Sequence, residues 1–183
     1  LGLILDEIEK RRKAEAARAD LIEFCRQMQP DYKVGKHHRI LAAALQEVVK
    51  GNILRLIITL PPRHGKTELA SKKLVPWFVG QDPSQSVIFA TYNQMYADDI
   101  GRHVRNLMRM PVYNQIFPNT QLRKGGAAAD RIETTANGLM VFVGQGGPLT
   151  GRGAHLLLID DPVKGVEDSN SPSARNKLWE WFT

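Results

Sequence analysis

Apolar residues in this chain recur with two periods, and segments of the two kinds alternate. Residues 3–29 carry the helical period: Ile4 and Ile8 share one face, as do Leu21, Cys25 and Met28. Residues 9–15 between them are charged on every side, which predicts one long helix forming an arm or lid, packed at its ends and crossing solvent in its middle. Gln29-Pro30-Asp31 ends it. A second helix is predicted over residues 37–50, with Ile40, Leu41, Ala44, Leu45 and Val48 on one side and Gly51 just past its end.

Residues 53–60 form a continuous apolar run and read as the first core strand. A helix follows from Lys66 to about Val75, where Pro76 breaks or kinks it. Residues 86–91 read as a buried strand, and residues 93–109 as a helix with Ala97, Ile100, Val104 and Leu107 inward. Residues 111–118 read as an irregular connection, and Gly125-Gly126-Ala127-Ala128-Ala129 as a small, flexible stretch. Two β-rich runs flanking Asn137-Gly138 predict a hairpin over residues 131–143. A glycine-rich loop spans residues 144–153, a buried strand residues 155–159, and a final helix residues 172–182. Strands alternating with helices, with core strands apolar throughout, predict an α/β fold: a mostly parallel sheet covered on both faces.

Composition narrows the class without choosing a function. The chain has 183 residues, 43% hydrophobic and 24% charged, so one domain with a sizeable core is the expectation. No apolar run approaches membrane-span length, and the start lacks the basic and apolar regions of a signal peptide. The single cysteine, Cys25, excludes an internal disulfide and fits a reducing compartment. A net charge of +6 and a pI near 9.6 favour an anionic partner, although an ordinary basic protein has the same balance. The chain begins without Met and ends without a helix-stop signal, so a fragment of a longer protein is expected.

Chemistry concentrates in Leu60-Pro61-Pro62-Arg63-His64-Gly65-Lys66-Thr67-Glu68. Strand, tight loop, Gly-Lys-Thr and helix is the arrangement of a phosphate-binding P-loop. Loop amides and the helix start point at an anion, Lys66 reaches the outer phosphates, and the Thr67 hydroxyl holds magnesium. The full pattern asks for glycine where this chain has Leu60, and Pro61 and Pro62 have no N–H to offer. The second half of an ATP-hydrolysing site is an apolar strand ending in a carboxylate, and Leu156-Leu157-Leu158-Ile159-Asp160-Asp161 supplies it. Asp160 then faces the metal and Asp161 the attacking water. An isolated Asp-Asp before Pro162 equally caps a turn; the Gly-Lys-Thr earlier in the chain favours the first reading.

Phosphoryl transfer calls for an arginine near the outer phosphate. Arg63 in the loop and Arg152 in Thr150-Gly151-Arg152-Gly153 are the candidates, each with a plain loop contact as its alternative. His64 is placed in the loop without proton chemistry. Arg102, Arg105 and Arg109 form a basic stripe that fits a nucleic-acid backbone, or a merely solvated helix face. His37 and His38 either approach a base or are simply surface histidines.

Taken together, residues 31–183 resemble the ATPase domain of the large terminase subunit, the DNA-packaging motor of tailed bacteriophages and prophages. The segments that carry the resemblance are His37-His38-Arg39, the loop from Leu60 to Glu68, Phe89-Ala90-Thr91-Tyr92, Leu149-Thr150-Gly151-Arg152-Gly153 and Leu158-Ile159-Asp160-Asp161-Pro162. The resemblance implies a RecA-like P-loop core behind an N-terminal helical arm, residues 1–30. It implies ATP and Mg2+ as cofactors, bound through Arg63, His64, Gly65, Lys66, Thr67 and Glu68, with metal on Thr67 and Asp160 and adenine near His38. The catalytic set would be Lys66, Asp161, Arg63 and Arg152. Implied partners are double-stranded DNA, the portal protein, the small terminase subunit and further copies of the chain in a ring on the procapsid, in the host bacterial cytoplasm.

Two departures stand out. The family's catalytic carboxylate is commonly Glu, and Asp161 is one methylene shorter. The family's nuclease domain and its coupling motif after the acidic pair are not matched, so a motor domain without nuclease activity is the expectation. Two rivals keep the same P-loop: a helicase-like translocase, which would separate strands, and a phosphotransferase, which would phosphorylate a small molecule. A non-catalytic nucleic-acid-binding module would bind DNA without ATP turnover.

Overall fold

The computed structural model of the chain describes residues 2–148, 153–165 and 170–182. The long N-terminal helix is two helices, α1 (Gly2–Ala19) and α2 (Leu21–Met28). Asp20 makes the break: its backbone is extended and its side chain accepts the Glu23 N–H at 2.9 Å, the work of an N-cap. Residues 2–13 are exposed, so the arm's outer end does not pack. From Ala14 on, one face joins the main core, with Leu21, Phe24 and Cys25 fully buried. Trp77 donates to the Ala17 carbonyl at 2.9 Å, and Phe24 meets the rings of Tyr113 and Phe117. Helix α3 (Lys36–Val49) follows as predicted.

Residues 53–60 do not form a strand. They run beside α3 with Leu54 and Ile57 about nine-tenths exposed, while Ile58 and Leu60 rest on the core. A cavity of about 870 Å³ lies along this segment and β5 (Leu156–Asp160). An apolar run specifies burial, and a ladder needs a partner edge; here two anchoring side chains satisfy the first without the second.

Lys66 begins a helix that continues past Val75 to Gln81. Its second turn is a π-helical segment, Glu68–Lys73, and its last part is α4 (Leu74–Gln81). The Leu74 N–H reaches back five residues to the Leu69 carbonyl, and this widened turn lets the helix run through Pro76.

The other elements are β1 (Val87–Thr91), α5 (Gln94–Met108), α6 (Pro111–Ile116), β2 (Leu122–Ala127), β3 (Arg131–Thr134), β4 (Leu139–Gly144) and α7 (Pro172–Phe182). Asn93 caps α5 by accepting the Tyr96 N–H at 2.8 Å. Pro111 starts α6 at a position where its missing N–H costs nothing. The hairpin turns at Asn137, with φ 68°.

The fold is α/β, with a five-stranded sheet in the order β2-β3-β4-β1-β5. β1 lies parallel to both β4 and β5, whereas β2–β3 and β3–β4 are antiparallel. The sheet is therefore mixed rather than mostly parallel, because the Asn137-Gly138 hairpin adds strands that need no crossover. Cover is also unequal. Val87, Phe89, Met140, Phe142 and Leu156 face the core shared with α2, α4 and α5. On the opposite face Ile88, Ala90 and Val143 have Val141 and Trp181 of α7 against them, and Leu157 and Ile159 are nearly half exposed. No helix among the described residues is long and apolar enough to cross a membrane.

Candidate functional site

The carboxyl ends of β1 and β5 lie side by side, with Thr91 in register with Asp160. Immediately after β5, Asp161 takes φ 45°, a left-handed backbone that short polar side chains tolerate. The turn sends the two carboxylates to different environments: the Asp160 side chain is 7% exposed, that of Asp161 69%.

The loop 61–65 arrives at the same place. Arg63 and Gly65 both have positive φ, 63° and 80°. The loop delivers Lys66 to the helix start, where its Nζ lies 3.1 Å from Asp160 Oδ1 and 2.8 Å from Asp161 Oδ1. Partial burial alone would lower the Lys66 pKa, but hydrogen bonds and charge from the two aspartates outweigh it and hold the ammonium protonated. Thr67 Oγ1 donates to Asp160 Oδ2 at 3.1 Å, and Ser71 Oγ to the same oxygen at 3.3 Å. Lys66, Thr67, Asp160 and Asp161 thus converge from two segments that are remote in sequence, although the strand expected to lead into the loop is not formed.

Two contributors escaped the sequence reading. Ser71 stands four residues after Thr67, so helical spacing could have flagged it as a second hydroxyl for Asp160. Tyr96 on α5 lies near Thr67 and Asp160, and burial raises its phenol pKa. Its ring stacks on Tyr92 at 5.9 Å. No local pattern announces it, since α5 is brought there by packing on β1.

The remaining candidates separate. Arg63 is exposed, with no side-chain hydrogen bond or ion pair among the described residues. His64 Nδ1 lies 2.9 Å from the Pro62 carbonyl within the loop. Arg152 lies outside the described residues. The Glu68 carboxylate is not open to the loop: it pairs with Lys72 at 3.0 Å and with buried Lys73 at 3.4 Å. Burial pushes its pKa up, but these lysines bring it below the ordinary value.

His38 is likewise committed. Its Nδ1 accepts the Gly35 N–H at 2.9 Å, and its Nε2 edge packs on Gly65, where a Cβ would stand 2.4 Å away, so neither nitrogen is presented to a base. The arginine stripe is interrupted: Arg102 pairs with Asp99, and Arg105 donates to the Ala127 carbonyl at 3.1 Å, leaving Arg109 exposed.

The donor set suits a magnesium nucleotide. Magnesium is held by one or two carboxylates together with phosphates and water, and a buried carboxylate beside a hydroxyl is such a set. Among the described residues no group of three or more His, Cys, Asp or Glu could hold a metal unaided. The Lys66 ammonium lies against both carboxylates, the place where a cation's charge is wanted. Scans against protein-family models and curated proteins find no match for the chain.

Proposed function

We propose that this chain is a Mg-dependent ATPase of RecA-like type and the motor of a DNA-packaging terminase. The observation that carries the reading is the convergence of Lys66, Thr67, Asp160 and Asp161 at the carboxyl end of β5. ATP would enter with its phosphates against the amides of residues 63–65 and the N-terminus of the helix that begins at Lys66. Lys66 moves from the aspartates to the phosphate oxygens, exchanging one pair of anions for another. Thr67 and Asp160 would hold Mg2+, which when bound neutralises charge on the phosphate oxygens. Ser71 keeps the Asp160 carboxylate oriented from below. Asp161, freed from Lys66 and exposed, accepts a hydrogen bond from water and aligns it for attack.

Packaging, rather than another use of ATP, rests on the segment-by-segment resemblance and on the net charge of +6. Under it, the chain acts on double-stranded DNA as a ring of copies with a portal and a small subunit. The test measures phosphate release from Mg-ATP with and without double-stranded DNA, beside strand separation on a forked duplex and transfer of phosphate to nucleosides. DNA-stimulated release without strand separation supports the reading. Strand separation would point to a helicase, and phosphate transfer to a small-molecule kinase.

A further inference from the structure

The loop 61–65 has an unusual backbone, with two of its five residues in the left-handed region and two prolines before them. Such a conformation persists only where its surroundings hold it. The contact that holds it comes from another element. At the start of α3, His38 accepts the Gly35 N–H on Nδ1 at 2.9 Å, the reciprocal half of a helix capping arrangement. With Nδ1 an acceptor, the neutral ring carries its proton on Nε2.

That edge of the ring lies against the loop. A Cβ at Gly65 would stand 2.4 Å from His38 Nε2 and 3.1 Å from Cδ2, so the glycine backbone and the imidazole are in close contact. His38 is itself fixed from the side: the His37 ring centre is 4.0 Å away, and that of Tyr32 5.8 Å. His37 in turn meets His64 at 5.7 Å.

We infer that His38 is a positioning residue that joins the loop 61–65 to the start of α3 and sets the direction of the loop's amides. One nitrogen binds the helix and the other the loop, so the imidazole acts as a two-ended tie. Its effect on nucleotide affinity rests on the function proposed above; its effect on the loop itself does not.

Three variants separate the two ends. His38→Asn keeps an acceptor near the Nδ1 position and loses the loop contact. His38→Gln keeps an N–H donor at about the reach of Nε2 and loses the cap. His38→Ala loses both. The readouts are amide hydrogen exchange over residues 63–67 in the nucleotide-free protein and the dissociation constant for Mg-ATP. In His38→Ala and His38→Asn, loop exchange should rise and Mg-ATP affinity fall by about tenfold, since amides displaced by a fraction of an ångström lose much of their grip. His38→Gln should stay within about threefold of wild type in both, as an amide N–H of similar reach still fills the contact with the loop. If His38→Asn exchanges and binds as wild type does, or His38→Gln is as impaired as His38→Ala, His38 only caps α3 and the inference fails. If the wild type binds no Mg-ATP, the nucleotide reading fails, and the exchange comparison still decides the tie.

Discussion

The Lys66 ammonium lies 2.8 Å from the Asp161 carboxylate, and 3.1 Å from Asp160, joining residues 95 positions apart in the chain. The contact closes the site and gives it a charge balance: one cation between two anions, of which Asp160 is nearly buried. Lys66→Ala leaves those anions facing each other. The expected outcome is loss of ATP turnover together with about 1–3 kcal/mol of stability, the range for a buried acceptor that loses a charged partner. Thermal melting reads this as a drop of roughly 2–4 °C per kcal/mol for a chain of this size. A variant with undiminished stability would mean that the pair is held by solvent alone.

Asp161 is mostly exposed and Asp160 is not, and their roles should divide along that line. Asp161→Asn keeps the shape and removes the acceptor charge. Mg-ATP affinity should change little while turnover falls by at least about 100-fold, in line with general-base contributions elsewhere. Asp160→Asn should instead weaken Mg-dependent binding. Equilibrium binding and single-turnover hydrolysis separate the two, and turnover surviving in Asp161→Asn would remove that residue from the water-orienting role.

Much of the fold was legible because the responsible signals are local. β1, β4 and β5 are apolar runs bounded by turn residues, and Asn137-Gly138 marks the hairpin whatever surrounds it. The misreadings share the opposite cause. Residues 53–60 have a strand's composition, but strand formation depends on a partner edge that no local pattern reports. Residues 125–129 read as a small, flexible stretch, yet Gly125, at φ 74°, lies within β2 (Leu122–Ala127), which pairs with β3 through an irregular register. Pro76 reads as a breaker and residues 111–118 as an irregular connection, yet Pro76 sits in a helix after a π turn and Pro111 at the first position of another. At the site, Lys66, Thr67, Asp160 and Asp161 were legible from their motifs. Tyr96 was not, and the inward pairing of Glu68 depends on Lys73 being buried beneath the loop.

Gly65 combines two constraints. Its φ of 80° disfavours any L side chain, and its Cβ position is filled by the His38 ring. Gly65→Ala should therefore cost more than the roughly 1 kcal/mol typical of a left-handed glycine replaced by alanine. The damage should be local: Mg-ATP affinity lost, with the far-ultraviolet circular dichroism unchanged. Pairing Gly65→Ala with His38→Ala, which vacates the ring's place, should recover part of the stability. No recovery in the double variant would mean that backbone strain, rather than the ring contact, makes the glycine necessary.

His38 should make the fold sensitive to acid. Burial lowers its pKa, neighbouring His37 and His64 lower it further, and the polar His64 backbone opposes them without prevailing. The sign follows. In the unfolded chain a histidine takes up its proton near pH 6.5, but the folded ring resists until lower pH. Stability is therefore full above the ordinary histidine range and declines as pH falls through it. Urea unfolding between pH 8 and pH 5 should show a decline that is shallower in His38→Gln. Parallel curves would show that other groups carry the acid sensitivity.

The arginines of α5 divide into a structural residue and surface ones, and mutation should distinguish them. Arg105 donates to the Ala127 carbonyl at the end of β2, tying the helix to the sheet. Arg109 is exposed, and Arg102 is exposed with a one-turn pair to Asp99. Arg105→Ala should lower stability by about 1 kcal/mol through the lost hydrogen bond. The double variant Arg102→Ala, Arg109→Ala should stay within about 0.5 kcal/mol of wild type, as surface changes do. If this face follows the DNA backbone, the same double variant should bind double-stranded DNA more weakly at low salt. Its slope of log affinity against log salt should be shallower by about one to two, one for each phosphate contact removed. An unchanged slope would place the DNA path on another surface, since a charge that contacts phosphate cannot be deleted without retaining a counterion there.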